Sequence, residues 1–321
     1  MNTANPAKKQ QPDPRVVVTA DTMVRQRHHA RQFNLTGIKK ATSAISGLHD
    51  SRFRGRGMDY LESRAYQIGD DIRNMDWRVT ARTGTAHTKL FQEERERPVY
   101  IVVDTNRSMH FGTRLRFKSV VAATAAAVLG WSSISQGDRI GVMTFGCHGI
   151  HPGRALAGKK GMMNLITHVV DAYAVNNQHT ETLSSALQQL RHINRPGSLI
   201  IVISDFYHLG SDCKRHLVQL RKHNDVLAVL THDPFELHSM QPAYYGIGDA
   251  KRQLVLDAHK SSTRKRVENI RRDSNLEVVE QVAKAGVAVL PLQTDQPVVN
   301  TLKQGLKNPA VAFANWIEQA Q

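Results

Sequence analysis

Oxygen-bearing side chains follow a strongly apolar segment that ends the first third of the chain. Val99–Val103 is a short run of mainly β-branched residues, which is typical of a buried strand. Asp104 follows this run directly, and Asn106 and Ser108 come two and four residues later. Because Mg²⁺ prefers oxygen ligands in near-octahedral geometry, a loop that directs these three oxygens toward one position predicts a divalent-cation site.

A cation site at this loop needs further oxygen donors from the ends of other strands. Asp205 follows another buried run, LIIVIS, and either Thr180 or Thr182 lies just before the predicted helix at LSSAL. A second interpretation stays open beside the metal site. In that interpretation Asp104 and Ser108 only cap the adjacent helix or turn, and no metal binds.

A second group of chemically active residues lies between Gly55 and Arg82, where no simple amphipathic period applies. The alternation of acids with arginines predicts arginine–carboxylate pairs. The acids are Asp70, Asp71 and Asp76, the arginines are Arg73, Arg78 and Arg82, and Tyr66 and Trp77 are expected to provide an apolar floor. The favoured interpretation is a structural ion-pair network that holds a small subdomain to the main sheet. A metal-dependent hydrolase using the three acids is the weaker alternative, since the arginines compete for the carboxylates.

Strands and helices alternate after Pro98, and this alternation positions the first group of residues. It predicts an α/β fold with a doubly wound, mainly parallel sheet, which binds ligands at the carboxyl ends of its strands. The predicted strands are Val99–Val103, Arg139–Phe145, Leu199–Ser204, Val226–Thr231 and Val287–Leu292. The predicted helices are Leu115–Ser135, Gly161–Tyr173, Leu183–His192, Lys214–His223, Ser262–Ala285 and Val298–Leu306.

The same reading divides the chain into four parts. Residues 1–20 are expected to be a disordered tail, because they are polar and contain proline. Residues 21–97 are expected to form a small N-terminal α+β module, and residues 98–306 the main domain with a hairpin insertion near 243–257. Residues 307–321 are expected to be a C-terminal tail. The segment around Cys147, His148 and His151 is expected to be a loop between strands, which is favoured over a zinc site.

Composition limits the classes of partner. The net charge of +15 predicts attraction to acidic partners, such as nucleic acid, anionic lipid or an acidic protein surface. Two cysteines are too few for a disulfide framework, and a signal peptide or membrane-spanning run is not apparent. We therefore expect a cytoplasmic protein.

The Asp104 loop resembles the metal-ion-dependent adhesion site of the von Willebrand factor type A fold. That resemblance implies Mg²⁺ held by a first loop, here Asp104, Asn106 and Ser108, by a threonine of a second loop and by Asp205 in a third. A partner's carboxylate often completes such a site. Asn106 stands where the family has serine, and Glu181 is in register with the family's threonine, so Thr180, Thr182 or neither is the donor.

The earlier segment is similar to the signature of the bacterial domain-of-unknown-function 58 (DUF58) family, which precedes a von Willebrand type A-like half. The residues that carry this similarity are Gly55, Gly57, Tyr60, Arg64, Tyr66, Gly69, Asp70, Asp71, Arg73, Asp76, Trp77, Ala81 and Arg82. The resemblance implies a non-enzymatic adaptor that acts with a MoxR-type AAA+ ATPase and other von Willebrand type A proteins in protein assembly or maturation. The alternative is a basic protein that binds nucleic acid or an anionic surface.

Overall fold

The computed structural model describes residues 13–33, 35, 59–67, 70–92, 96–175, 179–237, 240–248 and 253–320. Two compact units are distinguished. The larger combines Met1–Asp50 with Arg97–Gln321, and the smaller is Ser51–Glu96.

The helices and strands follow in chain order. They are α1 (Ala20–Arg25), β1 (Asp59–Ala65), α2 (Trp77–Thr83), β2 (His87–Gln92), β3 (Pro98–Thr105), α3 (Lys118–Ser135), β4 (Arg139–Gly146), β5 (Gly149–Ala157), α4 (Gly158–Ala174), α5 (Leu183–Ile193), β6 (Leu199–Ser204), α6 (Cys213–Arg221), β7 (Asp225–His232), α7 (Pro234–Leu237), β8 (Tyr244–Gly248), β9 (Gln253–Asp257), α8 (Ser261–Lys284), β10 (Ala288–Gln293), α9 (Val298–Lys307) and α10 (Pro309–Ala320). Short 3-10 helices lie at Gln26–Gln32, Ile72–Asn74 and Arg107–Met109.

The larger unit is built on a six-stranded sheet with the strand order β10-β7-β6-β3-β4-β5. All neighbouring strands are parallel except β4 and β5, which are antiparallel. Numbered within the sheet alone, the order is 3-2-1-4-5-6, which is that of a doubly wound sheet. The predicted fold class is thus confirmed: this unit has a von Willebrand factor type A-like α/β fold.

Each face of this sheet is covered by helices, so the strands read as nearly continuous apolar runs. Side chains alternate across a strand, and Ile101 and Val103 of β3 face one hydrophobic layer while Tyr100 and Val102 face the other. Helices α3, α4 and α9 contribute to the first layer, and helices α5, α6, α8 and α10 contribute to the second. The predicted hairpin is also present as the antiparallel pair β8–β9.

The N-terminal boundary differs from the predicted one. The described residues 21–33 and 35 group with the sheet unit and not with the module that was expected to span 21–97. The reason is a buried contact, since Met23 is 1% exposed and its carbonyl accepts a hydrogen bond of 3.1 Å from the indole Nε1 of Trp131. The described residues of the predicted disordered tail are folded, because the Asp13 carbonyl accepts turn hydrogen bonds from the N–H groups of Val16 and Val17 and helix α1 begins at Ala20. Residues 1–12 of that tail lie outside the described residues.

The expectations for the C-terminal tail and for the segment after β4 need correction. The expected C-terminal tail contains helix α10, whose Trp316 is 3% exposed and belongs to the second hydrophobic layer. Cys147 and His148 do form a turn between strands, as expected, but His151 lies on strand β5, which was not predicted and which pairs with β4 from Gly146–Gly149 back to Arg139–Ala157. The polar side chains of β5 hide it from pattern reading, because it is an edge strand with one face half exposed.

The smaller unit is an α+β arrangement. Strands β1 and β2 pair antiparallel, with Asp59 opposite Gln92 and Ala65 opposite His87. Helix α2 lies between them in sequence.

Candidate functional site: buried charges at the carboxyl edge of the sheet

The predicted loops meet where the strand order reverses. Strands β3 and β6 are neighbours in the sheet, and the helices that follow them, α3 and α6, belong to opposite hydrophobic layers. Doubly wound sheets bind ligands in the crevice at such a switch point. Asp104 near the end of β3 and Asp205 just after β6 both lie at this place.

Asp104 is fully buried and its carboxylate is enclosed by neutral donors. The hydroxyl of Ser204 donates to Oδ2 at 2.6 Å, and this bond links β3 to β6. The main-chain N–H and the side-chain Nδ2 of Asn106 both donate to Oδ1 at 2.9 Å. Burial and then the neighbouring Asp205 raise the pKa of Asp104 to about 7, although the Ser204 and Asn106 hydrogen bonds act in the opposite direction. The carbonyl of Asp104 accepts a bond of 2.6 Å from the Tyr173 hydroxyl.

Asp205 forms an ion pair with a lysine that the sequence reading did not single out. The Nζ of Lys118 lies 2.8 Å from Oδ2 of Asp205 and 2.7 Å from Oε1 of Glu236. The lysine and aspartate side chains are 3% and 5% exposed. Burial opposes the charged form of Asp205, but Lys118 outweighs it and the pKa of Asp205 is lowered. The carboxylates of Asp205 and Glu236 hold the Lys118 ammonium charged.

A third buried carboxylate, Asp233, directly follows strand β7 and connects the neighbouring loops by hydrogen bonds. Its oxygens accept hydrogen bonds from the main-chain N–H of Thr113 at 2.9 Å and from the Thr113 hydroxyl at 2.5 Å. They also accept the Thr294 hydroxyl at 2.6 Å and the Phe235 N–H at 2.9 Å. Burial alone would raise the pKa of Asp233, yet the hydrogen bonds from Thr113 and Thr294 lower it.

The remaining predicted metal ligands differ in burial and in hydrogen bonding. Asn106 Oδ1 and Ser108 Oγ are buried and have no hydrogen-bond partner among the described residues. Ser108 lies near enough to Asp205 to lower its pKa, but not at hydrogen-bonding geometry. Thr182 is the N-cap of α5, where its Oγ1 accepts from the Ser185 N–H at 3.2 Å. Thr180 is exposed.

This donor set does not fit the predicted Mg²⁺ site as it stands. Asn106 and Ser108 offer two unpartnered oxygens, but both are neutral. Mg²⁺ is usually held by one or two carboxylates, whereas here the Asp205 carboxylate already binds the Lys118 ammonium. Among the described residues, His, Cys, Asp and Glu side chains form no group of three or more that could hold a metal ion. Two cations sharing Asp205 would repel each other.

Two of the residues that the sequence reading missed carry recognisable signals. Lys118 is the first residue of helix α3. A positive side chain there interacts unfavourably with the helix dipole, which indicates that an acidic partner lies nearby. Asp233 follows a buried apolar strand, as Asp104 does, and the same reasoning would have found it. Tyr173 carries no such signal, since its hydroxyl is buried at the end of an ordinary amphipathic helix.

The acids of the smaller unit serve its local structure. Asp70 binds Arg64 through Nη2 at 2.7 Å and the Gln67 N–H at 2.9 Å, and the Gln67 bond and then the arginine lower its pKa. Asp71 accepts the Arg73 N–H at the start of a 3-10 helix. The carboxylates are therefore not presented as a free metal-binding set.

Asp76 is the N-cap of α2. It accepts from the N–H groups of Arg78 and Val79 at 3.2 and 3.1 Å, and from the Ser63 hydroxyl at 2.6 Å. The Ser63 bond is the largest influence that lowers the pKa of Asp76. The acid thus joins strand β1 to helix α2.

The predicted ion pairs between the acids of this unit and Arg73, Arg78 and Arg82 were wrong. The charged pair found among the described residues of this unit is Arg64–Asp70, and the other acids bind main-chain N–H groups. The predicted apolar floor was also wrong for Trp77, which is 66% exposed. Local capping outcompetes arginine pairing because the N–H groups are fixed in position at a helix start. Gly55, Gly57 and Gly69 lie outside the described residues.

Replacing Asp76 with alanine is expected to remove the cap of α2 and the tie to β1. Amide hydrogen exchange at Arg78 and Val79 should become faster, because both N–H groups lose their acceptor. The matched control is Asp71→Ala, which uncaps only a three-residue 3-10 helix and should leave those two amides protected. Equal exchange in wild type and Asp76→Ala would contradict the capping role.

Cys147 and Cys213 are free and buried. Over the part of the chain that the structure describes, no helix is both long and apolar enough to cross a membrane.

Comparison with known proteins identifies the family of this chain. The family described as "Protein of unknown function DUF58" matches residues 62–277, which is more than half of the chain. The chain therefore belongs to the DUF58 family, as the resemblance predicted. It is also 27% identical over 268 residues to "Uncharacterized protein Rv1480" of Mycobacterium tuberculosis and to "Uncharacterized protein Mb1516" of Mycobacterium bovis. These alignments cover 83% of this chain and 84% of each relative.

Solved structures give weaker similarities. A "conserved hypothetical protein BatB" from Bacteroides thetaiotaomicron matches with a TM-score of 0.38 and 12% identity, covering 68% of this chain and 99% of that one. An "aerotolerance-related membrane protein" from Bacteroides fragilis matches with a TM-score of 0.41 and 12% identity, covering 66% and 98%. Because both TM-scores lie below 0.5, the strand order and not these similarities defines the fold.

Proposed function

We propose that the protein is a non-enzymatic adaptor that binds protein partners at the carboxyl edge of its sheet. One observation carries this proposal: at the switch point between β3 and β6, the Ser204 hydroxyl donates a hydrogen bond to Asp104 and so connects the two strands. Such an edge is where a doubly wound fold exposes its variable loops. Here the polar groups beneath those loops form hydrogen bonds and ion pairs that hold the loops in place.

The carboxylates already have hydrogen-bond or ion-pair partners within the protein, and this favours an adaptor over a hydrolase. Asp104, Asp205 and Asp233 bind donors of the protein itself, and so do Asp70 and Asp76. A metal-dependent hydrolase needs carboxylates that are free to hold a cation and activate water. We therefore rank the hydrolase below both binding functions.

The loop after β6 presents the surface that best suits a partner. Tyr207 is 71% exposed, and its ring meets that of His208 edge-on at 5.0 Å. The preceding Phe206 is 2% exposed and has a φ of 58°, which is uncommon for a residue other than glycine. Its burial holds the strained loop, and the Tyr207 N–H donates to Oδ1 of Asp205 at 3.1 Å. Tyrosine presented on a rigid loop is a frequent source of binding energy at interfaces.

The partner class follows from the family and from charge. The DUF58 resemblance implies a MoxR-type AAA+ ATPase and other von Willebrand type A proteins, in protein assembly or maturation. The net charge of +15 would favour an acidic surface on such a partner and would speed association at low salt. The exposed Trp77 and Ile72 of the smaller unit, at 66% and 65%, are suited to a second contact.

The second candidate function is binding to nucleic acid or to an anionic surface, which the same charge supports. The exposed Lys265 and Arg266 of helix α8 are available for phosphates, whereas Arg264 binds the carbonyls of Ala258 and His259. This function predicts a steep loss of binding with salt and no dependence on the β6 loop.

Affinity capture from a lysate of the source organism, with mass spectrometry of the bound proteins, tests the proposal. Capture is run with Mg²⁺, with EDTA and after nuclease treatment. Recovery of a MoxR-type AAA+ ATPase supports the adaptor. Recovery of nucleic acid alone, lost after nuclease, establishes the second candidate instead.

Replacing Tyr207 with alanine is expected to abolish most recovery of the ATPase without lowering the melting temperature, because the side chain is exposed. Tyr244→Ala is the matched control, since Tyr244 is 69% exposed but lies on the β8–β9 hairpin. Equal recovery by both variants would remove the β6 loop from the proposed surface.

A further inference from the structure

We propose that the ammonium group of Lys118 takes the place of the divalent cation at this von Willebrand type A-like site. The edge of the sheet would then be held together without a metal, and partner binding would not depend on one. The second clause rests on the proposed function, but the first is a property of the chain alone and is tested separately.

The geometry around Lys118 is that of a bound cation. Its Nζ contacts Asp205 Oδ2 at 2.8 Å and Glu236 Oε1 at 2.7 Å, so it joins the loop after β6 to helix α7. It also lies 5.7 Å from the centre of the Phe111 ring, where a cation is attracted to the ring face. Lys118 as a whole is 2% exposed, so water screens these contacts little.

The main chain positions this ammonium in advance. The N–H of Lys118 donates to the carbonyl of Phe111 at 2.8 Å, which closes the loop between β3 and α3. Thr113 in the same loop is held by Asp233. The lysine is therefore anchored at both ends, by its main chain and by its side chain.

The other predicted ligands are consistent with a built-in cation. Asp104 is satisfied by neutral donors from Ser204 and Asn106 and does not need a metal to balance its hydrogen bonds. Thr182 caps its own helix. A buried carboxylate pair without a positive partner would be strongly unfavourable, and Lys118 supplies that partner.

The replacement has a consequence for recognition. In an adhesion site of the metal type, a partner's carboxylate completes the coordination shell of the cation. Lys118 is too deeply buried for such a contact, so the partner should meet the exposed Tyr207 instead. Recovery of the partner should accordingly be the same in Mg²⁺ and in EDTA.

Thermal unfolding and calorimetry with Mg²⁺ as the only added ligand test the inference. For wild type and for Ser108→Ala, the melting temperature in about 10 mM Mg²⁺ should lie within about 1 °C of that of the same protein in EDTA, because the site takes up no cation. Lys118→Met keeps the aliphatic stem and removes the charge. Its melting temperature should fall by about 10 °C, and Mg²⁺ should restore about 4 °C of that loss.

A saturable Mg²⁺-dependent rise in the wild type that Ser108→Ala abolishes would overturn the inference, whatever happens to the lysine variant. If Lys118→Met does not fold, the double variant Lys118→Met/Asp205→Asn provides the second test. It should recover folding in part, since Asp205→Asn removes the charge of the more deeply buried of the two carboxylates that lose their cation, while Glu236 is 23% exposed. A double variant that stays unfolded would contradict the assigned charge partnership. Loss of the ATPase interaction in the wild type would count against the proposed function and not against these readouts.

Discussion

Replacing Asp233 with alanine is expected to lower the free energy of unfolding by about 3 kcal/mol. The substitution removes the acceptor of four hydrogen bonds, from the N–H and hydroxyl of Thr113, the hydroxyl of Thr294 and the N–H of Phe235. Thr294 is completely buried, so its hydroxyl finds no water in exchange. Urea unfolding followed by circular dichroism measures the difference.

Asp295→Ala is the control for a neighbouring acid of the same type. Asp295 contacts Arg114 at 3.1 Å, and their side chains are 21% and 62% exposed, so solvent screens the pair. Its loss should cost less than about 1 kcal/mol. Equal losses for Asp233→Ala and Asp295→Ala would show that the buried carboxylate does not hold the loops.

The contribution of Asp233 should also depend on pH in a defined direction. The pKa of this carboxyl is lowered in the folded protein, so the folded state favours its charged form. Its stabilisation is present above the unfolded pKa of about 3.9 and is lost as the pH falls through the folded value. The difference between wild type and Asp233→Ala should therefore shrink only below about pH 4.

Gly146→Ala is expected to lower the free energy of unfolding by about 3–5 kcal/mol. Gly146 ends β4 with a φ of 143°, and a Cβ there would lie 2.4 Å from the N of Asn106 and 2.5 Å from the carbonyl carbon of Thr105. Both atoms are main chain, so no side-chain rotation relieves the contact. The displaced segment would be the Asp104–Asn106 turn itself.

Gly137→Ala separates backbone strain from this close approach. Gly137 also has a positive φ, 82°, but a Cβ there would meet no atom within 4 Å. Its replacement should cost only about 1–2 kcal/mol. If the two variants unfold at the same urea concentration, the close approach of β4 to the Asp104 turn is not a source of stability.

The sheet could be predicted from sequence because its strands are buried on both faces. Leu199–Ser204 is β6 without any change of boundary, and both hydrophobic layers follow from the alternation within β3. The edge strand β5 escaped prediction, since its sequence GIHPGRALA carries neither an apolar run nor strict alternation. The helix α10 escaped for a different reason: its burial depends on the tertiary contact of Trp316 with the second layer.

The site was predicted in its position but not in its chemistry. An acid directly after a buried strand is visible in sequence, and this placed Asp104 and Asp205 correctly at neighbouring strand ends. The partner of Asp205 was not visible, because Lys118 is separated from it by 87 residues. Likewise, spacing alone could not show that Asp71 and Asp76 bind main-chain N–H groups rather than arginines.

The dissociation constant between this protein and the recovered MoxR-type ATPase is the most direct test of the adaptor function. It is measured by calorimetry with purified proteins, for wild type, Tyr207→Ala and Tyr244→Ala, in Mg²⁺ and in EDTA. We expect Tyr207→Ala to weaken binding by at least about tenfold, a loss of roughly 1.4 kcal/mol, while Tyr244→Ala and EDTA leave it unchanged. Undiminished binding by Tyr207→Ala, or an absence of binding by the wild type, would contradict the proposed adaptor surface.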